Sequence, residues 1–288
     1  MNQSRSTLVE IGIATRNRWK DLKVTLERIR DFGWADLKVH IIDDGSDQKC
    51  DFVPERILPL AKLERMEESR GYIRRRNELA ERMTSRYYLS FDDDAYPVAG
   101  DLDAALAFVE CRPTILCLGF TILDFEKRTF SFPPLSPEPY QVRSFVGCGH
   151  LLNREMFIGL ESYYEPIFHQ GEEPDIAALA FGLGYKCWRF PGLVVEHRLS
   201  HLGRNYARMD FYGGRNKVWW SMCYLPARNV VGGVARTIIE RAVLTIRTRR
   251  LSHLRGVVAA LTTFSAHKRR VHRFTSTQLR LWNSLPFQ

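Results

Sequence analysis

The residues best able to do chemistry in this chain are carboxylates, and they come in clusters. Asp92, Asp93 and Asp94 stand in a row in "YYLSFDDDAYP", directly after an apolar run. Asp43 and Asp44 open "DDGSD" after "LKVHII", and Glu172, Glu173 and Asp175 fill "GEEPD". Adjacent carboxylates repel and push up one another's pKa, so each cluster calls for a cation or for water. A short Asp tract at a strand end suits a hard divalent cation. Mg²⁺ or Mn²⁺ binds through one or two carboxylates and completes its shell with substrate phosphates. Asp94, last of its tract, is the candidate ligand. Taken alone, "DDD" is equally a solvated turn, "DDGSD" an Asx-type turn, and "EEPD" a helix start whose acids complement the dipole.

These clusters need elements to hold them. "LVEIGIA" (8–14) alternates as a strand, and Leu22, Leu26 and Ile29 recur at helical spacing before Gly33. "LKVHIID" (37–43) is a second strand, "GYIRRRNELAERM" (71–83) a helix, "YYLSF" a strand and "DLDAALAFVE" a helix. Strands alternating with helices over residues 8–110 predict an α/β protein with a doubly wound, mainly parallel sheet flanked by helices. In such sheets ligands bind beyond the carboxyl ends of the strands, where both Asp clusters fall. Residues 114–132 are β-rich with room for a hairpin, and 144–155 read as a strand with a glycine break. The segment 172–184 is a short helix stopped by Gly184. "YKCWRF" and "LVVEHR" read as two short strands, and the chain beyond Arg204 reads as helical.

The motifs, taken in order, resemble the family 2 glycosyltransferases. "IATRNR", "IIDDGSD", "SRGYIRRRNELA", "YYLSFDDDAYP", "VGCGHLLNREMF", "GEEPDIAALAFGLGY", "VVEHRLSH" and "YGGRNKVWW" carry the resemblance, over about residues 8–220. Any one motif is weak; the ordered set is specific. It implies a GT-A fold and an inverting transfer of a sugar, a hexose or rhamnose, from a nucleoside-diphosphate donor to a hydroxyl of a glycan or lipid-linked acceptor. It also implies a role in surface-polysaccharide or lipid-linked glycan assembly. In that reading a divalent metal offsets the charge of the departing diphosphate. Asp94 ligates it, with His197 as second ligand, and Asp92 or Asp93 reaches the ribose or supports the ligands. Asp43 and Asp44, not separable by sequence, meet the base. Thr15 and Arg16 flank that pocket, and Arg76 pairs with the diphosphate. Inversion needs one general base to take the acceptor's proton. Members of the family usually carry Glu-Asp where this chain has Glu172-Glu173. The base is assigned to Glu173, with Glu172 and Asp175 as rivals.

Charge divides the chain. From Arg198 onward 17 Lys and Arg face 2 Asp and Glu, whereas residues 1–197 hold 25 basic and 31 acidic residues. The expected organisation is a catalytic domain over 1–220, with a nucleotide-binding half to about 110 and an acceptor half over 111–220. A basic helical extension follows over 221–288. Its segment 229–250 gathers Val231, Val234, Ile238, Ile239, Ala242, Val243 and Ile246 on one face, with Arg236, Glu240 and Arg247 opposite. That pattern fits either packing on the domain or an anionic membrane surface. The six cysteines are scattered without a C-x-x-C pair, which points to a reducing compartment. With no apolar start or spanning run, the expectation is a cytoplasmic protein, free or peripheral at the membrane. No zinc-finger, RNA-recognition or helix-turn-helix signature accompanies the basic tail, so nucleic acid is not expected as a partner. A phosphotransferase of the haloacid-dehalogenase type would carry its Asp tract after the first strand, not a later one. A non-catalytic sugar-nucleotide or glycan-binding relative of the same fold is the alternative that turnover decides.

Overall fold

The structure, a computed structural model, describes residues 5–199, 205–265 and 270–288. A short helix α1 (Arg5–Leu8) leads into β1 (Val9–Thr15), and α2 (Trp19–Asp31) returns to β2 (Val39–Asp43). β3 (Ala61–Arg65), α3 (Tyr72–Arg82), β4 (Tyr87–Asp92), β5 (Ala95–Gly100) and α4 (Leu102–Glu110) follow. Then come β6 (Ile115–Asp124), β7 (Tyr140–Val142), β8 (Gly149–Asn153), α5 (Arg154–Gly159), α6 (Glu172–Gly182) and β9 (Lys186–His197). One sheet collects the described strands in the order β3-β2-β1-β4-β8-β6-β9-β5, with β7 on β9. It is parallel where strand and helix alternate, from β3 to β4. Beyond β4 it is mixed: β8 is antiparallel to both its neighbours, and β6 and β9 pair in parallel.

Register brings the motifs together. Thr15 lies opposite Asp43 on β2, and Ala14 opposite Asp92 on β4, so three strand ends form one rim. The inner strands β1, β2 and β4 are buried on both faces, as in a sheet covered on both sides. Val9, Ile11 and Ile13 meet Leu22, Leu26 and Ile29 of α2 on one side. Ile42 and Tyr88 meet Ile73, Leu79 and Ala80 of α3 on the other.

Several elements differ from the sequence reading. The two short strands expected at 185–198 are one strand, β9, whose register slips between its pairings at Phe190 and Val194. An irregularity of that kind bends a strand without ending it. Its far end sets His197 opposite Ala95 and Asp124. β5 gives no alternating pattern because Pro97 interrupts it. It lies at the edge of the sheet, where a missing N–H costs nothing. The hairpin expected after residue 114 reduces to β6 and one bridge, Leu123 to Phe130.

The C-terminal part forms α7 (Tyr206–Tyr224), α8 (Ala227–Thr248), α9 (Ser252–Thr263) and α10 (Ser276–Ser284). α7 and α9 cross at van der Waals contact of their backbones. A Cβ on Gly256 would stand 2.0 Å from the Phe211 carbonyl oxygen, and one on Gly214 2.7 Å from that of His253. α10 starts with a capping box of Thr275 and Gln278. Its Trp282 packs among Phe181 of α6, Trp220 of α7 and Phe274.

Candidate active site

The site lies where the sheet turns from parallel to antiparallel. β4 ends at Asp92, and its neighbour β8 begins at Gly149, so Asp92 N–H donates to the Cys148 carbonyl at 3.4 Å. Asp92, Asp94 and His197 form one group there, with a ligand atom from each inside a 4.8 Å span. Hard carboxylate oxygens with one imidazole suit Mg²⁺ or Mn²⁺. His197 Nε2 stands 3.3 Å from Asp94 Oδ1. Against burial, Cys148 and Asp94 raise the His197 pKa to about 11, so metal binding would release a proton.

The Asp tract is divided by its partners. Asp92 pairs with Arg76, and Asp94 with Arg18. Asp93 accepts from the Thr15 hydroxyl at 2.7 Å and lies 3.0 Å from Arg18. Burial pushes Asp93 up to about 7, opposed by Arg18. The residue that flanks the aspartates is thus Arg18, which the sequence reading missed. Arg16 points to solvent. The switch is made at Asn17, whose φ of 57° turns the chain and whose amide bonds Asp47. The signal available was "RNR" itself: two arginines separated by a residue tolerant of the left-handed region.

The structure also separates Asp43 from Asp44. Asp44 accepts from Ser69 Oγ, the Arg70 and Gly71 N–H groups and Arg75 Nε, at 2.6–2.9 Å. Burial works against its charge, but these bonds outweigh it and its pKa falls. It fastens the loop that starts α3. Asp43 Oδ1 accepts from Ser46. Its buried Oδ2 has no hydrogen-bond partner among the described residues, with Arg65 Nε 3.5 Å away.

Arg76 links the aspartate tract to the first turn of α6. Its guanidinium reaches Asp92, the Gly147 carbonyl at 3.1 Å, Glu172 at 3.4 Å and Glu173 at 3.9 Å. The Tyr72 ring covers it at 4.9 Å. Burial raises the Glu172 pKa, and burial together with Glu172 raises that of Glu173 well above the usual carboxylate range; Arg76 opposes both shifts. Gly147 lies against Glu173 so closely that a Cβ there would stand 2.0 Å from Oε1. Asp175 points away from this group, to Tyr224 OH at 2.7 Å and Arg270 at 3.0 Å.

Solved structures share this architecture. GalNAc-T7, crystallised with UDP, GalNAc and Mn²⁺, superposes with a TM-score of 0.63 at 17% identity, over 78% of this chain and 49% of its own. The chain thus spans about half the length of that enzyme. The mannosyltransferase PcManGT of Pyrobaculum calidifontis, in complex with GDP-Man and Mn²⁺, gives 0.58 at 16% identity, over 96% of this chain and 78% of its own. Residues 1–349 of S. aureus TarS give 0.55 at 13% identity, over 91% of both chains. No curated protein matches the chain. The class is therefore a GT-A fold, with an Asp-Asp-His group whose residue types suit a divalent ion. The profile of Glycosyl transferase family 2 matches residues 10–159, and the chain belongs to that family.

Proposed function

We propose that this protein is an inverting glycosyltransferase that moves a hexose or rhamnose from a nucleoside diphosphate to a hydroxyl of a glycan or lipid-linked acceptor. The observation that carries the reading is Arg76: one buried guanidinium reaches both Asp92 of the metal-type group and, at 3.9 Å, the carboxylate placed to act as base. The donor's anomeric carbon and the acceptor's hydroxyl oxygen would meet between them. The acceptor oxygen bonds to the anomeric carbon as the bond to the diphosphate oxygen breaks. The acceptor's proton passes to Glu173, and the electron pair leaves with the diphosphate. Asp92, Asp94 and His197 would hold a Mg²⁺ or Mn²⁺, which would supply Lewis-acid stabilisation of that leaving group.

Glu173 suits the base role because burial and Glu172 raise its proton affinity. Glu172 tunes it. Asp175 serves the fold through Tyr224 and Arg270. Asp43 Oδ2, buried and without a hydrogen bond, takes an N–H of the nucleotide base. Thr15 and Arg18 hold Asp93 beside the ribose, and Arg76 turns to the diphosphate when the donor enters. Residues 1–220 form the catalytic part, and 221–288 the basic helical part.

That second part adds a membrane contact. In α8 only Thr237 is buried, whereas Val231, Ile239 and Ile246 are 79%, 65% and 77% exposed. These residues share one face, with the exposed Arg236 and Arg247 on the other side of the helix. An apolar face on a helix that also carries exposed arginines suits an anionic surface, and no described helix is long and apolar enough to cross a bilayer. The test of the catalytic reading is a panel of nucleotide sugars, assayed for free nucleoside diphosphate with Mn²⁺. One or more should be turned over. Donor binding without turnover across the panel would favour the non-catalytic relative.

A further inference from the structure

A cavity of about 420 Å³ opens between the first turn of α6, the face of α7 and the segment after α10. Tyr164, Trp219, Trp220, Trp282 and Phe287 are the aromatic part of its wall. Its polar groups are nearly all used by the protein itself. Trp219 Nε1 donates to the Ala260 carbonyl and Trp220 Nε1 to that of Pro174. The Asn216 amide donates to the Ile167, His169 and Gln170 carbonyls and accepts from Arg215. A sugar would bring hydroxyls that find few partners here, at the cost of desolvating them. An apolar chain would not.

One charge in the wall is not matched. Arg270 is held by Asp175, and Lys217 by Glu240. Among the described residues no carboxylate pairs with Arg143, and its Nε is buried without a hydrogen-bond partner. Burial lowers the pKa of its guanidinium, which has the Phe287 ring 6.0 Å away but no anion beside it among the described residues. An anion at that point would relieve the cost. The position is also fixed: Arg143 and Ser144 N–H donate to the Pro286 and Phe287 carbonyls at 2.9 and 3.0 Å. The strip that carries Arg143 runs on to Gly147, which lies against Glu173. Gly171 and Pro174, on either side of the two glutamates, line the cavity.

We infer that this cavity is the anchor subsite of the acceptor, taking an apolar chain joined to a phosphate, with Arg143 as the counter-charge. The inference rests on the transferase reading and decides within it for a lipid-linked acceptor. The volume, at the lower end of small-ligand sites, admits the chain segment next to the phosphate rather than an oligosaccharide. The sugar end of the acceptor then runs along the Arg143–Gly147 strip to Glu173.

The probes are geranyl phosphate, geraniol and inorganic phosphate, titrated into the full chain and read by tryptophan fluorescence and calorimetry. Geranyl phosphate should bind about tenfold or more tighter than either half of it. Arg143→Gln should weaken geranyl phosphate about tenfold and leave geraniol unchanged. Gly213→Leu should abolish binding by filling the cavity. A Cβ there meets only the ends of the Gln170 and Arg241 side chains, so an unchanged melting temperature is expected. No binding of geranyl phosphate, equal binding by Gly213→Leu, or inorganic phosphate binding as tightly overturns the subsite. None of these titrations needs a donor. Turnover of a nucleotide sugar without geranyl phosphate binding removes the subsite and keeps the transferase. Binding without turnover of any donor does the reverse.

Discussion

The acidic rim and the basic helical layer treat charge in opposite ways. At the rim, the clustered carboxylates share a few buried or half-buried arginines: Arg18 for Asp93 and Asp94, Arg76 for Asp92 and the glutamates, Arg75 for Asp44. The charges there are matched before any ligand arrives, and their geometry is set by buried partners. On α8 Arg228, Arg236, Arg247 and much of the apolar face lie open to solvent, and Glu240, the one acid of the helix, pairs with Lys217. A preorganised site fixes where a small ligand goes. An open, unmatched surface specifies only the sign and the apolar character of a large partner. Arg270 joins the two regions, since it lies in the basic part of the sequence but holds Asp175 of α6.

Substitutions can break this contrast. Asp94→Ala should act most strongly, because it removes a ligand and leaves Arg18 with one partner fewer. A metal at a leaving group is worth several kcal/mol, so turnover should fall about 10⁴-fold, with little change in melting temperature. Full activity in excess chelator would show that the tract holds no metal. Arg270→Met comes next. It leaves the buried Asp175 carboxylate without its cation, for which about 3–5 kcal/mol of stability is typical. Urea unfolding measures it. A loss under about 1 kcal/mol, the scale of a surface pair, would mean that the basic layer is only appended.

Glu173→Gln keeps size and removes the proton acceptor. Turnover should drop about 10²–10³-fold, within the span of general-base loss, while donor affinity stays. Normal transfer by Glu173→Gln and failure by Glu172→Gln would move the base by one residue. The smallest effect is expected on α8. Ile239→Asp should weaken co-sedimentation with anionic vesicles by about 1 kcal/mol, the scale of a partly buried apolar side chain. High salt should weaken it further, and neutral vesicles should bind less. Equal, negligible sedimentation in every condition would leave α8 as a solvated helix.

The sequence by itself determined the element types over 8–110, the carboxylate clusters and their order. These are local properties: periods of 2 and 3.6 sort strands from helices, and turn residues end them. It also marked the amphipathic face of α8. It could not decide whether that face packs inward, because nothing local says what lies opposite. The same reason explains Arg16 and Arg18, which are equivalent in sequence until Asn17 adopts φ of 57°. It explains Asp43 and Asp44, whose side chains alternate across the strand end, so that one meets the α3 loop and the other keeps an unmatched oxygen. Only the tertiary structure made β9 one strand and carried His197 to Asp94. Only it put Arg76 between Asp92 and Glu173, residues far apart in the chain. Such contacts depend on sheet order and register, which are settled by the packing of the whole core rather than by any window of the sequence.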